Sequence, residues 1–509
     1  MKWRINFSIP NCNYNIVNHP ASLFIKKIPK KDDKFVLEKM YFAFENGVLT
    51  GYAPVDALKN TVECIKEKII KDPGWAEEIH SQARDINQEF FAHARTLVNM
   101  DFGRLDNQEL WQTYKKLRTM QSESHYYSIP TTWFLDSEGE VFTNYLKERL
   151  RMILRDHGLD DETKLVDYFI LLTTPSRPGF TQEEELGFLQ LLKKIKSDPE
   201  AVKFFIQEKN LQAIYNQFPL ELKRDIEEHY QKWHWVPYGY IGPAYELDYY
   251  LEKIRQSINN IEAVDEIMAE ELSRYEKVRQ QQQNLVKEIK IFEEFGRLFA
   301  IARDIIWLKD YRKYCFWHGH YVLDKINSEI ARRLCLTLEQ VNHIADYDME
   351  NAVLKGQVDQ DKLNQSIKCS IFCATENGDE HYWGEQARQI IDRLDIDEPG
   401  LDLSGDFKGS CAYPGKLRGK VKIVLSVDDI YKVEQGDIMV ALTTYPAMLP
   451  AMKRARAIIS QDGGITCHAA IVAREFRITC VVGVSKVTER LSDGDDVEID
   501  AVRGIVKKL

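Results

Sequence analysis

Residues 463–475 read G-G-I-T-C-H-A-A-I-V-A-R-E. The β-branched run Ala457–Ser460 precedes them, so the pattern predicts a strand, a glycine turn and then a helix over about His468–Glu475. The two glycines permit backbone conformations and close approaches that a side chain would block. Thr466 is predicted to cap the helix. We therefore expect His468 in the first helical turn, beside free backbone N–H groups.

A histidine in this position is suited to phosphoryl chemistry. The start of a helix favours anions such as phosphate and disfavours imidazolium, so the pKa of His468 should be lowered. A neutral imidazole has a free lone pair that can attack phosphorus. The small side chains of Ala469 and Ala470 leave space for a phosphoryl group. The alternative is a histidine that only packs or caps at a strand–helix junction.

The whole string resembles the signature of the mobile domain of phosphoenolpyruvate-utilising enzymes, which include phosphoenolpyruvate synthase, pyruvate phosphate dikinase and rifampin phosphotransferase. The resemblance extends over about 407–506. It includes further matching segments at Gly415–Val421, Gly436–Val440, Thr443–Pro446, Val481–Gly483 and Asp493–Asp495. It implies a small swivelling β/β/α domain in which His468 is phosphorylated and Gly463, Gly464, Thr466 and Cys467 shape the supporting loop.

The chain departs from the family pattern at two places. Arg477–Thr479 stands where the family usually has Gly-Ile-Pro, and Gln461–Asp462 replaces a common threonine and its neighbour. The first change puts the docking surface in doubt more than the chemistry. Arg474 matches the family, and its position on another helix face favours a structural or docking role.

Composition divides the chain into two regions. From about residue 55 to 395 it is rich in Glu, Lys, Gln, Leu and aromatics with helical apolar spacing, and 258–321 predicts one or two long helices. Residues 233–250 predict an aromatic loop before a helix at about Leu247. Short β-branched runs and glycine turns follow residue 405. The prediction is a multidomain α plus α/β protein, with a mostly helical region (1–395), a linker (396–405) and the α/β domain (406–509).

Bulk properties exclude several classes of protein. The 509 residues carry a net charge of -11, which argues against broad binding to nucleic acid or anionic membranes. Nine cysteines are not a disulfide framework, and the pair Cys369 and Cys373 is a poor zinc site, so no metal is expected in this chain. No signal peptide or membrane span is evident, which predicts a cytoplasmic protein.

The order of helical region and mobile domain resembles the substrate and histidine domains of rifampin phosphotransferase, whose ATP-grasp domain comes first. This layout implies a phosphotransferase whose donor is a separate ATP-grasp protein, which supplies ATP and Mg²⁺, and whose acceptor is a small molecule bound by the helical region. Candidate acceptor-binding residues are His234, Tyr238, Arg312 and His318, although aromatic-rich segments more often form core. The alternatives are a regulatory phosphocarrier that binds a protein partner and a degenerate binding module.

Overall fold

The computed structural model describes residues 1–10, 12, 37–135, 140–208, 210–240, 242–375, 377–397, 406–444, 448–461, 463–464 and 467–509. Its helices are Val55–Lys71 (α1), Pro73–Leu97 (α2), Asn107–Ile129 (α3), Val141–Asp156 (α4), Glu162–Thr173 (α5), Phe180–Lys196 (α6), Pro199–Gln207 (α7), Leu211–Gln217 (α8), Leu220–Trp233 (α9), Leu247–Ser257 (α10), Val264–Glu288 (α11), Glu293–Leu334 (α12), Leu338–Asn342 (α13), Asp346–Lys355 (α14), Gln360–Lys368 (α15), Gly384–Asp392 (α16), Leu449–Arg454 (α17), His468–Phe476 (α18) and Val487–Arg490 (α19).

The strands form two sheets. Those of the first are Lys2–Pro10 (β1), Lys39–Glu45 (β2), Val48–Pro54 (β3), Cys369–Thr375 (β4), Gly378–Trp383 (β5) and Asp395–Ile396 (β6). Those of the second are Phe407–Lys408 (β7), Ser410–Tyr413 (β8), Lys416–Ile423 (β9), Ile438–Ala441 (β10), Ala457–Ser460 (β11), Thr479–Val482 (β12), Asp496–Asp500 (β13) and Ile505–Lys508 (β14).

The first sheet joins the two ends of the predicted helical region. Its order is β5-β4-β2-β3-β1-β6, and only the β1–β6 pair is parallel among the pairings described. Successive side chains of β2 point to opposite faces of the sheet, and both faces are covered by other elements. Phe42 and Phe44 pack into the helical core, while Ala43 packs toward α16. The sequence analysis did not predict this sheet, so the region 1–395 is helical with a six-stranded sheet rather than helical throughout.

Helix α12 is the central element of the helical region and packs against α2 and α3. Its middle turns are buried almost all round, as the contiguous run Tyr314–His320 illustrates. The predicted long helices are confirmed as α11 and α12, and the break falls at residues 289–292. The predicted aromatic loop contains a short 3₁₀ turn, Val236–Tyr238, and α10 begins at Leu247 as expected.

The C-terminal domain has an eight-stranded sheet in the order β7-β14-β13-β9-β10-β11-β12-β8. Strands β9 to β12 are parallel neighbours, and β13, β14, β7 and β8 extend the sheet by antiparallel pairing. Helices α17 and α18 cover one face of the parallel part through an apolar cluster that includes Met439 and Ile458. The predicted architecture, α followed by α/β, is confirmed.

The predicted linker begins within β6, and residues 398–405 lie outside the described part of the chain. Within the described part, the helices contain no segment long and apolar enough to span a bilayer.

Cys369 and Cys373 both lie buried in β4. The described residues contain no cluster of three or more His, Cys, Asp or Glu side chains suited to a metal ion.

Candidate functional site

The site lies where the parallel strands of the C-terminal domain end. Thr444 follows β10, the glycine loop and His468 follow β11, and Gly483 follows β12. Because the carboxyl ends of parallel strands meet at one edge of a sheet, these segments converge there. His468 is the first residue of α18, so the predicted position in the first helical turn is confirmed.

The two nitrogens of His468 have different surroundings. Nδ1 lies 2.9 Å from the Thr444 hydroxyl oxygen, and both side chains are buried. Nε2 is buried, and no described residue forms a hydrogen bond with it. With the proton on Nδ1, that N–H donates to Thr444, and the Nε2 lone pair is available. Nε2 is therefore the nitrogen that this arrangement leaves free for a phosphoryl group.

The charge state of His468 follows from its position between the two regions of the chain. Burial lowers the pKa of His468 well below its ordinary value, and the positive charge of Lys313 lowers it further. The ring is consequently neutral at physiological pH, which is the state that a nucleophile requires. Lys313 belongs to α12, so a residue of the helical region acts directly on this histidine.

The glycine loop is shaped by close contacts. Gly463 has a φ of 97°, and a Cβ there would lie 2.5 Å from the Cβ of Cys467. A Cβ on Gly464 would lie 2.7 Å from Oε1 of Glu140, a residue of the helical region. The residue that caps α18 is Cys467, which makes no side-chain capping bond, instead of the predicted Thr466. Thr466 itself lies outside the described residues.

Polar contacts hold the C-terminal domain against the helical region. Ser410 Oγ donates to Glu140 Oε2 at 2.9 Å, and Lys453 Nζ lies 3.3 Å from Glu185 Oε2. On the far side of α18, Arg274 Nη2 donates to the carbonyl oxygen of Arg474 at 3.1 Å. His468 is only 4% exposed in this arrangement, so the helical region and the C-terminal domain together shield its imidazole from solvent.

The surface that faces His468 is one turn of α12. Lys313 is partly buried, and desolvation together with the charges of Lys309 and Arg312 lowers its pKa to about 8. Burial raises the pKa of the Cys467 thiol, and the positive charges of Lys309 and Lys313 oppose that increase. Both lysines therefore lie near the start of α18. A phosphoryl group on His468 would thus meet a cluster of cations.

Two carboxyl groups meet at the same interface. Asp310 is buried on α12, its Oδ2 accepts a 3.4 Å hydrogen bond from Phe180 N, and burial raises its pKa to about 7. Glu475 of α18 is also desolvated, which raises its pKa well above the ordinary value, and the Asp310 charge raises it further. Asp310 thus has the pKa of a general base that works near neutral pH.

Comparison with known proteins covers the C-terminal part of the chain. Residues 433–504 match the family model for the mobile domain of PEP-utilising enzymes. The C-terminal domain belongs to this family. A probable phosphoenolpyruvate synthase from Archaeoglobus fulgidus is 52% identical over 100 residues, which are 20% of this chain and 13% of that protein. The phosphoenolpyruvate synthase of Pyrococcus furiosus is 48% identical over 102 residues, 20% of this chain and 12% of that protein.

The chain thus spans only about an eighth of the length of these relatives. Among solved structures, aconitase X of Thermococcus kodakaraensis aligns with a TM-score of 0.18 and 23% identity, covering 21% of this chain and 99% of that chain.

Three candidate acceptor residues lie in a packed cluster on the other side of α12. His234 pairs through Nδ1 with the Tyr230 carbonyl and through Nε2 with the Tyr321 hydroxyl, both at 2.9 Å. Tyr238 donates to Asp324 Oδ2 at 2.6 Å, and the His318 ring lies 4.7 Å from those of Phe91 and Trp235. These contacts explain the three side chains as internal packing. Their role in acceptor binding stays a prediction.

Arg312 differs, because its side chain is partly accessible and its Nε has no hydrogen-bond partner among the described residues. The sequence analysis included Arg312 but overlooked its neighbours Lys309, Asp310 and Lys313. A signal was present: residues 309–313 read K-D-Y-R-K, four charged side chains directly before the buried run Tyr314–His320. Charges at the centre of a buried helix need partners or a function.

Proposed function

We propose that this chain is a phosphotransferase component that carries a phosphoryl group on Nε2 of His468 to a small molecule bound at α12. The observation that carries the proposal is the buried His468 ring, whose Nε2 has no hydrogen-bond partner in the described part of the chain and whose pKa the charge of Lys313 helps to lower. The donor is a separate ATP-grasp protein, which binds ATP and Mg²⁺. The phosphoenolpyruvate synthases that match the mobile domain support phosphoryl transfer as the class of reaction.

The first step takes place with the mobile domain away from the helical region. The Nε2 lone pair attacks a phosphorus atom of ATP, a P–N bond forms and the P–O bond to the leaving phosphate breaks. During attack the ring gains positive charge, so the Nδ1–H donates a stronger hydrogen bond to Thr444. Thr444 is therefore a positioning residue that also stabilises this charge.

The second step takes place in the docked arrangement. An acceptor hydroxyl attacks phosphorus, its proton passes to the Asp310 carboxylate, and the P–N bond breaks as the electron pair returns to Nε2. Lys313 and Lys309 neutralise the charge on the transferred group, which is the main task of a protein in this chemistry. The raised pKa of Asp310, about 7, suits a base at neutral pH.

Labelling tests the carrier role directly. The full chain is incubated with a candidate ATP-grasp protein and ATP labelled in its β- and γ-phosphates. Acid-labile label should appear on His468 and vanish in His468→Ala. The exposed His157 provides the matched control, His157→Ala, which should label normally. Label that persists in His468→Ala, or absence of label with every donor, would contradict the proposal.

A regulatory phosphocarrier without an acceptor is the second candidate function. Such a carrier would need no general base and no accessible cation next to the docked histidine. The partly accessible side chains of Lys313 and Arg312, together with Asp310, favour the transferase.

A further inference from the structure

Arg474 is a buried cation that uses only part of its donor capacity. Its Nε donates to the carbonyl oxygen of Ala412 on β8 at 3.2 Å. Its Nη1 and Nη2 are buried, and no described residue accepts a hydrogen bond from either. The residue is 7% exposed, and burial lowers the pKa of its guanidinium. Because unsatisfied buried donors are costly, a guanidinium in this state is expected to have a ligand.

The position of Ser410 shows where this guanidinium lies. Ser410 pairs with Val482 at the end of β12, so it belongs to the edge of the sheet at which the glycine loop begins. Cys411 packs on the opposite face of the sheet from Ala412. Since neighbouring side chains of a strand alternate, Ser410 shares the α18 face with Ala412. Arg474 therefore reaches β8 two residues from the Ser410 hydroxyl.

The helical region places a carboxylate at this point. Glu140 Oε2 accepts the 2.9 Å hydrogen bond from Ser410 Oγ, and a Cβ on Gly464 would lie 2.7 Å from Oε1. The negative charge of Glu140 also acts on Arg474 and raises its pKa. Glu140 has φ and ψ of 52° and 44°, a left-handed conformation that is uncommon for residues other than glycine. The docked chain thus holds an oxyanion against the glycine loop at the expense of backbone strain.

We infer that Ser410 and Arg474, together with the glycine loop, form an oxyanion-binding subsite that Glu140 occupies in the docked arrangement and that holds a phosphate group of the donor nucleotide when the domain has moved. This inference rests on the proposed function, because it assigns the donor's phosphates to a place on this chain. Cys467, which directly precedes the reacting histidine, donates its backbone N–H to Gly464 O at 2.9 Å. A phosphate at Gly464 therefore leaves its neighbour in the same polyphosphate chain close to the imidazole.

A phosphate satisfies this subsite more completely than the Glu140 carboxylate does. The carboxylate accepts from the Ser410 hydroxyl, whereas the two Nη groups of Arg474 have no acceptor among the described residues. A phosphate has more oxygens, arranged tetrahedrally, and can accept from a hydroxyl and from both Nη groups of a guanidinium. Since Glu140 and the nucleotide use the same place, binding of the donor phosphate and docking of the helical region exclude each other.

Calorimetric titration of the full chain with inorganic tripolyphosphate tests the subsite. Glu140→Ala should bind tripolyphosphate at least about tenfold more tightly than wild type, because the competing carboxylate is removed. In the Glu140→Ala background, Arg474→Gln should abolish this gain and Arg474→Lys should keep part of it. Ser410→Ala should weaken binding about fivefold in the same background, as expected for one hydrogen bond. Arg477→Gln is the matched control, because Arg477 is exposed at the end of the same helix, and it should keep the full gain.

Equal affinities of wild type and Glu140→Ala would overturn the inference. A gain that survives Arg474→Gln or Ser410→Ala would also overturn it, because the anion would then bind elsewhere on the chain. Thermal unfolding shows which variants fold, and Ser410→Ala, a change at a partly accessible residue of an edge strand, decides the question if Arg474→Gln does not fold. Labelling of the histidine is measured separately. Normal labelling without a gain in affinity refutes only the subsite, whereas failed labelling refutes the phosphotransferase itself.

Discussion

Replacing Thr444 by valine removes one hydroxyl and keeps the shape of the side chain. The change deletes the 2.9 Å hydrogen bond to Nδ1 of His468 and leaves a buried N–H without a partner. A hydrogen bond of this kind contributes about 1 kcal/mol net, and an unsatisfied buried group costs about 1–3 kcal/mol. The hydrogen bond to Thr444 strengthens as the ring becomes cationic. The substitution therefore destabilises the transition state more than the ground state.

A loss of about 1–2 kcal/mol corresponds to a rate of phosphorylation that is about 5- to 30-fold lower. The assay is phosphorylation of the full chain by phosphoramidate, followed by ³¹P NMR, which distinguishes the two phosphohistidine isomers. Wild type should give the Nε2 isomer. Thr444→Val should give the same isomer more slowly, or a mixture in which Nδ1 is also modified.

The adjacent Thr443 offers a matched control, since Thr443→Val removes a hydroxyl from the same loop without touching His468. It should react at the wild-type rate. Equal rates for wild type and Thr444→Val would refute the role assigned to the Nδ1 hydrogen bond. Equal slowing in both valine variants would show that the loop, rather than this bond, was disturbed.

Three further predictions concern the docked interface. The rate of transfer from phosphorylated His468 to an added alcohol such as glycerol should increase as pH rises through about 7, where Asp310 ionises, and decrease above about 8, where Lys313 loses its charge. Asp310→Asn should abolish the increase. Time courses followed by ³¹P NMR at each pH measure both effects. Burial in the docked arrangement raises the pKa of Glu475, so docking is coupled to proton uptake and should weaken as pH rises above the ordinary carboxyl pKa of about 4.3. Glu475→Gln should keep the chain compact in small-angle scattering at alkaline pH. A pH profile of compactness that does not change in this variant would count against the prediction. Gly464→Ala places a methyl group 2.7 Å from Oε1 at the end of the flexible Glu140 side chain, so this carboxylate should turn away and weaken its 2.9 Å hydrogen bond with Ser410. Phosphoramidate should then reach His468 somewhat faster than in wild type, and an unchanged rate of phosphorylation would contradict the contact.

Local patterns predicted the C-terminal domain well, because its strands pair mainly with near neighbours and its turns contain glycine. Strand Ala457–Ser460 and the start of α18 were predicted at the residues where they occur. The departure at Arg477 also gains a physical explanation. This residue ends α18 with a φ of 55°, a left-handed conformation that glycine adopts without strain and that costs other residues about 1 kcal/mol.

The first sheet escaped prediction for a different reason. Its hairpin signal, Asn46-Gly47 with φ values of 52° and 81°, predicts only the local pair β2–β3. Strand β4, however, pairs with β2 across more than three hundred residues of helical sequence, and no local pattern encodes such a partner. The face of α12 that carries Asp310 and Lys313 was missed because its position beside His468 is a long-range contact that no local pattern encodes.

The pairing of β6 with β1 also fixes the point at which the chain leaves the first sheet toward the mobile domain. Asp397, just after β6, forms an ion pair with Arg4 at 2.7 Å and a second with Lys2, so the chain leaves the first sheet at an anchored position. The covalent path from Asp397 to Asp406 measures at most about 30 Å when extended. That length limits the search volume of His468. In the proposed function, a donor must present its nucleotide within this length plus the distance from Asp406 to His468, measured from the β6 edge of the first sheet.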